Sequence, residues 1–254
     1  MQADNVDVGG TRIHVQRWGE DGGTPILYWH GGGGGSGEIP VLAPPLVEAG
    51  YAIHALDAPG YGRSPAVDAD GYAPSRLAEL AAGLLETLDL APVVWIGFSW
   101  GGNIGVHTAA RFPGSIRALG LLDSGYLRPE DDPDYDPATD FEDELAELRR
   151  LAAEGETWDA PPEVIAAAMV GSHREPVPSC YPALAGSGIP ILLAYATEPP
   201  ELEALRGPAR ERFRAGLPHA RLVSIPGAGH GVLGDNASEV TRVLLAWLAE
   251  LGQL

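Results

Sequence analysis

The pentapeptide Gly97-Phe98-Ser99-Trp100-Gly101 has the pattern G-x-S-x-G and separates two segments of different character. Residues 93–96, just before it, are β-branched and aromatic, which is typical of a short buried strand. The small and apolar residues at 101–111 are numerous enough for a helix. The pattern therefore predicts a sharp strand-to-helix turn that strains the Ser99 backbone and exposes its hydroxyl. In a chain with 34 glycines the alternative is a plain glycine-rich turn, which the flanking strand and helix disfavour.

Strand and helix patterns alternate along most of the chain, and no internal repeat interrupts them. Two glycines join two short alternating segments, which predicts a hairpin over residues 6–18. Buried-strand patterns lie at residues 26–29, 51–56, 93–96, 117–122, 189–195 and 221–225. Helical patterns lie at residues 42–49, 75–90, 102–111, 201–215 and 237–251. This alternation predicts an α/β fold, a mostly parallel twisted sheet flanked by helices on both faces.

Residues 124–188 interrupt the alternation after the sixth predicted strand. They begin with an acidic, proline-rich stretch at 129–137 and continue with helical patterns at 140–154 and 161–170. We therefore expect a small helical cap over residues 124–188, inserted into a core formed by residues 1–123 and 189–254. The acidic stretch has neither a histidine nor the spacing of a metal site, which favours a solvated loop over a metal-binding one.

Composition narrows the class of protein further. The 254 residues, 45% hydrophobic and 20% charged, suit one enzyme-sized globular domain. The net charge of −19 opposes binding to nucleic acid or to an anionic membrane. Cys180 is the only cysteine, so no intramolecular disulfide forms. The first residues lack the pattern of a signal peptide, and no apolar run reaches ~18 residues, so we expect a cytoplasmic protein.

Four motifs, each directly after a predicted strand, stand in the order in which the α/β-hydrolase-fold serine hydrolases carry them. They are H-G-G-G-G at residues 30–34, D-A-P-G-Y-G-R-S at 57–64, G-F-S-W-G-G at 97–102 and P-G-A-G-H at 226–230. Over essentially its whole length the chain resembles this superfamily of esterase-like and lipase-like enzymes. The motifs would share the carboxyl edge of the sheet, where ligands bind in open α/β folds.

The resemblance implies a catalytic serine and a catalytic histidine. Ser99 takes the place of the family's nucleophile, and His230 that of the base, which accepts the serine proton and returns it to the leaving group. Two backbone N–H groups form the family's oxyanion hole, and the residue after the nucleophile, here Trp100, supplies one of them. Gly32 is the favoured second donor, and Gly31 and Gly33 are the alternatives, because five consecutive glycines leave the register open.

The carboxylate that would orient the histidine departs from the family pattern. In the family it is usually an aspartate shortly after the seventh strand, where this chain carries Glu198 and Glu201 but no aspartate. Some relatives place it after the sixth strand, where this chain has Asp123. We favour Asp123, because a strand end has a fixed position at the edge of the sheet, and keep Glu198 as the alternative. A plain turn-capping role for Asp123 is the competing interpretation.

The expected activity is hydrolysis of a small to medium carboxylic ester, or of a related acyl bond, through an acyl-enzyme on Ser99. Lactones, thioesters, amides and carbon–carbon bonds stay open as alternatives to the ester. The expected substrate is a small molecule, and neither a metal nor an organic cofactor is expected. Trp100 and Tyr61 are the candidate substrate-binding residues of the pocket wall. Two alternatives use the same fold: non-hydrolytic chemistry such as acyl transfer or peroxyacid formation, and non-catalytic binding of a small molecule. Epoxide hydrolases and haloalkane dehalogenases are disfavoured, because they carry aspartate where this chain has Ser99.

Overall fold

The computed structural model describes residues 2–131, 136, 138 and 141–252. Its strands are β1 (Gln2–Val8), β2 (Thr11–Trp18), β3 (Thr24–Trp29), β4 (Tyr51–Asp57), β5 (Val93–Phe98), β6 (Ile116–Leu122), β7 (Ile191–Ala196) and β8 (Arg221–Ile225). They form one sheet in the order β1-β2-β4-β3-β5-β6-β7-β8. The pairs β1–β2 and β2–β4 are antiparallel, and the other pairs are parallel. This confirms the predicted α/β fold with a mostly parallel sheet.

Helices cover both faces of the sheet. They are α1 (Ala43–Glu48), α2 (Pro74–Thr87), α3 (Trp100–Arg111), α4 (Phe141–Ala153), α5 (Pro162–Arg174), α6 (Tyr181–Ser187), α7 (Glu203–Gly216), α8 (Val232–Asp235) and α9 (Ala237–Leu251). Trp95 of β5 packs into the core shared with α2 and α3, whereas its neighbours Val94 and Ile96 pack into the core shared with α1 and α9. Successive strand residues point to opposite faces, so a strand covered on both sides is apolar throughout.

The segment inserted between β6 and β7 carries α4, α5 and α6, in agreement with the predicted helical insertion. Helix α5 runs to Arg174 rather than to residue 170. The sequence did not predict α6, because a seven-residue helix with Pro182 and Gly186 leaves little helical pattern. Residues 132–135 and 137 of the acidic stretch, and the predicted helix start at 140, lie outside the described residues. The boundaries of the cap stay a prediction.

The carboxyl edge of the sheet gathers the loops that carry the predicted site residues. Strand β3 leads into the five glycines at residues 31–35, which we name the glycine loop. Strand β5 leads into Ser99, β6 into Asp123, and β8 into the loop that carries His230. Because β3 and β5 to β8 run in parallel side by side, these loops meet at one edge. In the described part of the chain, no helix has the length and apolar character needed to cross a membrane.

Candidate active site

Ser99 lies on a strained turn between β5 and α3. Its backbone has φ 49° and ψ −120°, a combination that non-glycine residues rarely adopt. The Ser99 N–H donates to Leu122 O at 3.0 Å, which holds the turn against β6. A Cβ on Gly97 would lie 2.5 Å from the Gly101 backbone, and one on Gly101 would overlap Trp29 O. Both glycines are therefore required by the close approach of strand and helix.

Ser99, His230 and Asp123 form one chain of hydrogen bonds. The Ser99 hydroxyl donates to His230 Nε2, with 2.9 Å between the two atoms. His230 Nδ1–H donates to Asp123 Oδ2 at 2.8 Å, which assigns the proton of the neutral imidazole to Nδ1 because a carboxylate only accepts. The His230 side chain is 51% exposed and the Asp123 side chain 0%. Such an arrangement can take a proton from the serine and stabilise the positive charge that forms on the imidazole.

Backbone geometry and three donors fix the Asp123 carboxylate. Asp123 has φ 44°, and its N–H donates to Ala194 O at 2.7 Å. Its Oδ1 accepts hydrogen bonds from the Ala196 N–H at 3.0 Å and from the Tyr126 hydroxyl at 2.9 Å. Burial alone would raise the pKa of Asp123, but the hydrogen bonds from His230, Ala196 and Tyr126 outweigh it and hold the pKa below its usual value. Asp123 is therefore ionised at neutral pH.

Glu198, the alternative carboxylate, supports the neighbouring loop through its backbone. Its N–H donates to Ala228 O at 2.9 Å, and its carbonyl oxygen accepts from Arg206 Nη1 at 2.7 Å. Within the described ranges the Glu198 carboxylate makes no hydrogen bond or ion pair. The structure thus brings Asp123 to His230 and leaves the Glu198 side chain out of the hydrogen-bond chain.

Hydrogen bonds from His30 and Gly34 hold the start of the glycine loop in place. The Gly31 oxygen accepts from His30 Nδ1–H at 2.7 Å and from the Gly34 N–H at 3.2 Å. His30 Nε2 accepts in turn from the Ala58 N–H at 3.0 Å, which fixes the neutral tautomer. Burial lowers the pKa of His30 to about 4, so its imidazole is neutral at physiological pH. Because the peptide unit is trans and planar, the Gly32 N–H points away from the Gly31 oxygen.

The two favoured oxyanion donors lie beside each other. Trp100 is the first residue of α3, where backbone N–H groups have no partner within the helix. A Cβ on Gly32 would lie 3.9 Å from Trp100 Cβ. The Gly31 N–H, by contrast, donates to the Glu38 carboxylate at 3.4 Å. The structure therefore places Gly32 and Trp100 together next to Ser99, and directs the Gly31 N–H to Glu38.

The two predicted pocket-wall residues pack on each other. The ring centroids of Tyr61 and Trp100 are 5.3 Å apart. Tyr61 is fully buried, and its hydroxyl donates to Gly32 O at 3.0 Å, so it lies behind the glycine loop and supports it. Trp100 follows Ser99 directly and is the better placed of the two. Contact of either residue with a substrate stays a prediction.

Residues without a sequence motif complete the surroundings of the site. Two of them, Trp158 and Asp159, reach the glycine loop from the inserted segment. A Cβ on Gly33 would lie 2.7 Å from Trp158 Cδ1, and the Asp159 N–H donates to Gly33 O at 3.0 Å. The other two are Tyr126, which donates to Asp123, and Glu38, which accepts from the Gly31 N–H. The sequence did not indicate these four residues, because each role depends on a tertiary contact. The one available signal was that Tyr126 follows the strand-end residue Asp123 closely in the sequence.

The sequence of the chain matches a protein family and, over part of its length, a known enzyme. A sequence model of the family described as alpha/beta hydrolase fold matches residues 24–175, more than half of the chain. The 2-hydroxy-6-oxononadienedioate/2-hydroxy-6-oxononatrienedioate hydrolase of Escherichia coli K12 is 32% identical over 125 residues, which cover 48% of this chain and 43% of that enzyme. The chain thus matches less than half the length of this relative.

Solved structures share the fold over nearly all of the chain. The bromoperoxidase of Bacillus anthracis has a TM-score of 0.80 at 21% identity, covering 98% of this chain and 100% of that one. A carboxylesterase of the thaumarchaeon Nitrososphaera gargenis has a TM-score of 0.77 at 18% identity, covering 99% of both chains. At such identities the likeness shows the fold alone. Together with the family match, it shows that the chain belongs to the alpha/beta hydrolase fold family, with hydrolases among its homologues.

Proposed function

We propose that the protein is a serine hydrolase that cleaves a small to medium carboxylic ester through an acyl-enzyme on Ser99. The observation that carries this proposal is the continuous hydrogen-bond chain from Asp123 through His230 to the Ser99 hydroxyl. A serine hydroxyl is a poor nucleophile unless a base lies within hydrogen-bond reach. Here the base lies 2.9 Å away and is itself oriented by a buried carboxylate.

In the first half of the reaction, Ser99 Oγ attacks the ester carbonyl while its proton moves to His230 Nε2. The carbonyl oxygen becomes an oxyanion, to which the N–H groups of Trp100 and Gly32 donate. The bond to the alcohol oxygen then breaks, and His230 returns the proton to that oxygen as it leaves. Ionised Asp123 stabilises the imidazolium that exists between these steps.

In the second half, water attacks the acyl-enzyme and gives a proton to His230. The bond to Ser99 Oγ then breaks, the carboxylic acid leaves, and the proton returns to the serine. The reaction needs neither a metal nor an organic cofactor, and the proposal keeps the cytoplasmic location expected from the sequence. We assign residues 124–188 the role of a cap over this site, which the contacts of Trp158 and Asp159 with the glycine loop support.

Hydrolysis of a dienedioate, as in the name of the Escherichia coli relative, is the second candidate, because that enzyme is 32% identical over the matched region. A dioate carries two negative charges. The net charge of this chain is −19, so its field opposes the approach of such a dianion. This favours an uncharged ester as the substrate.

Labelling with a fluorophosphonate probe, followed by mass spectrometry of the labelled peptide, tests the serine mechanism. We expect covalent labelling of Ser99 that His230→Ala abolishes, and turnover of p-nitrophenyl esters of short to medium acids. Folded protein that is not labelled at Ser99 would refute the mechanism and favour non-catalytic binding. Turnover of the dienedioate without ester turnover would favour the second candidate.

Added alcohol or hydrogen peroxide separates hydrolysis from the remaining alternative. Both compete with water for the acyl-enzyme, so the ratio of products reports which acceptor the site prefers. We expect the free acid to dominate. A product mixture dominated by the new ester or by the peroxyacid would assign acyl transfer or peroxyacid formation instead.

A further inference from the structure

The glycine loop has no side chains of its own to hold it in place. Five consecutive glycines have more backbone freedom than any other sequence of that length, so an ordered loop needs anchors from elsewhere. An oxyanion hole depends on donors that are aligned before the reaction starts. Whatever anchors residues 31–35 therefore bears on the rate of the proposed reaction.

Glu38 lies against this loop, on the 3-10 helix Ser36–Val41. The hydroxyl of Tyr28, a fully buried residue of β3, donates to Glu38 Oε2 at 2.6 Å. The Gly31 N–H donates to the same oxygen at 3.4 Å. The other carboxylate oxygen faces Gly34, where an added Cβ would overlap it. Glu38 thus contacts the first and the fourth glycine of the loop.

These contacts hold both peptide units that flank Gly31. The unit between His30 and Gly31 is held at its N–H by Glu38. The next unit is held at its oxygen by His30 Nδ1–H and by the Gly34 N–H. With both planes held, the Gly32 N–H has one direction, opposite to the Gly31 oxygen.

We propose that Glu38, supported by Tyr28, is a positioning residue that aligns the Gly32 N–H as an oxyanion donor. Glu38 acts through Gly31 and does not touch the substrate, and the inference rests on the proposed serine-hydrolase function. This position needs a side chain long enough to place an accepting oxygen where Glu38 Oε2 lies, because both the Tyr28 hydroxyl and the Gly31 N–H donate to that oxygen. Glutamine supplies such an oxygen, whereas methionine has a similar length without one.

The environment of Glu38 makes glutamine a fair conservative replacement. Burial, the largest influence, raises the pKa of the Glu38 carboxyl, while the hydrogen bonds from Tyr28 and Gly31 lower it and the nearby Asp159 raises it. A neutral amide that keeps the accepting oxygen is therefore compatible with this partly buried position.

The experiment compares Glu38→Met and Glu38→Gln with the control Glu175→Gln. Glu175 is also a partly buried glutamate that accepts two hydrogen bonds, from the Ser75 N–H at 2.7 Å and the Ser75 hydroxyl at 2.8 Å, but it does so at the start of α2. Fluorophosphonate titration to completion first counts the active sites. The kcat and KM for a p-nitrophenyl ester, and the inhibition constant of a trifluoromethyl ketone that mimics the tetrahedral intermediate, are then measured per active site.

We expect Glu38→Met to lower kcat about 10- to 100-fold while KM changes less than about threefold, and to weaken binding of the ketone by a similar factor. Glu38→Gln should recover most of kcat, and Glu175→Gln should stay within about twofold of the wild type. Tyr28→Phe, which keeps Glu38 but removes its support, provides a second route if Glu38→Met does not fold. It should lower kcat about threefold or more.

Three results would overturn the positioning role. They are an unchanged kcat per active site in Glu38→Met and Tyr28→Phe, an equal loss in Glu175→Gln, and a loss in Glu38→Met that Glu38→Gln does not recover. Absence of Ser99 labelling in the wild type would refute the serine mechanism itself and the oxyanion role with it. The two failures are therefore distinguishable.

Discussion

The ends of β6 and β7 contribute to the candidate site in different ways. At the end of β6, the Asp123 side chain joins the hydrogen-bond chain directly and accepts from Tyr126 and Ala196 as well. At the end of β7, Glu198 contributes through its backbone, which connects the loop to Ala228. One strand end presents a carboxylate to the histidine, whereas the other holds the loop on which the histidine stands.

This difference follows from the backbone and not from the chemistry of the two side chains. Both residues carry carboxylates, and either type orients an imidazole in this fold. Asp123 adopts a left-handed φ of 44° directly after β6, a conformation that aspartate tolerates better than most residues. There its Oδ1 meets the Ala196 N–H of the adjacent strand. The conformation of the strand end, and not the type of side chain, thus decides which carboxylate accepts a hydrogen bond from His230.

The largest expected effect contrasts Asp123→Asn with Glu198→Gln. Asparagine keeps the shape of Asp123 but stabilises neither the required tautomer nor the imidazolium, so kcat/KM should fall about 10³- to 10⁴-fold. Glu198→Gln should change kcat/KM less than about threefold, because the Glu198 side chain lies outside the hydrogen-bond chain. Initial rates with one p-nitrophenyl ester measure both. A greater loss in Glu198→Gln would reverse the assignment.

The next effect concerns the supporting role of the β7 end. Arg206 is buried and donates to Glu198 O at 2.7 Å, and the Glu198 N–H donates to Ala228 O two residues before His230. Arg206→Met removes this donor, so we expect kcat to fall about tenfold through displacement of the histidine. The free energy of unfolding should fall by about 1–3 kcal/mol, which urea denaturation measures.

Arg210→Met is the matched control on the same helix. Arg210 lies over the Tyr195 ring at 4.4 Å and pairs with Glu203, but its described contacts do not include the loop of His230. It should leave kcat within about threefold of the wild type. Equal losses in both variants would show that α7 as a whole, and not the bond to Glu198 O, holds the β7 end.

The fold was predictable from the sequence because its signals are local. Strands buried on both faces are continuous apolar runs, and the glycines around Ser99 mark a close approach that nothing larger permits. The four motifs each lie within a few residues after a strand, so the sequence also indicated which loops meet at the sheet edge.

The remaining features depend on contacts between distant segments. The sequence placed carboxylates at two strand ends, but the choice between Asp123 and Glu198 required the conformation of each turn. It left Gly31, Gly32 and Gly33 open as oxyanion donors, because the Gly31 N–H donates to Glu38, which belongs to no motif. Helix α6 was missed because it is short and contains proline and glycine.

A smaller effect on kcat/KM is expected from Tyr126, which supports Asp123 at the β6 end. Tyr126→Phe removes the hydroxyl that donates to Asp123 Oδ1 at 2.9 Å and leaves the bonds from Ala196 and His230. We expect kcat/KM to fall about threefold, because the carboxylate that orients His230 loses one of its three hydrogen-bond donors. Tyr181→Phe, whose hydroxyl donates to Gly125 O at 2.8 Å, is the control. An identical loss in both variants would contradict a specific role for Tyr126.

The smallest expected effect tests the β6 end by stability rather than by rate. The pKa of Asp123 is lower in the folded protein than its usual value, so its ionised form stabilises the fold above the unfolded pKa of about 4. This contribution is lost as the pH falls through the folded pKa. The difference in unfolding free energy between wild type and Asp123→Asn should therefore shrink in urea titrations from pH 6 to pH 2. A difference that stays constant over this range would contradict the stabilising role of the ionised Asp123 carboxylate.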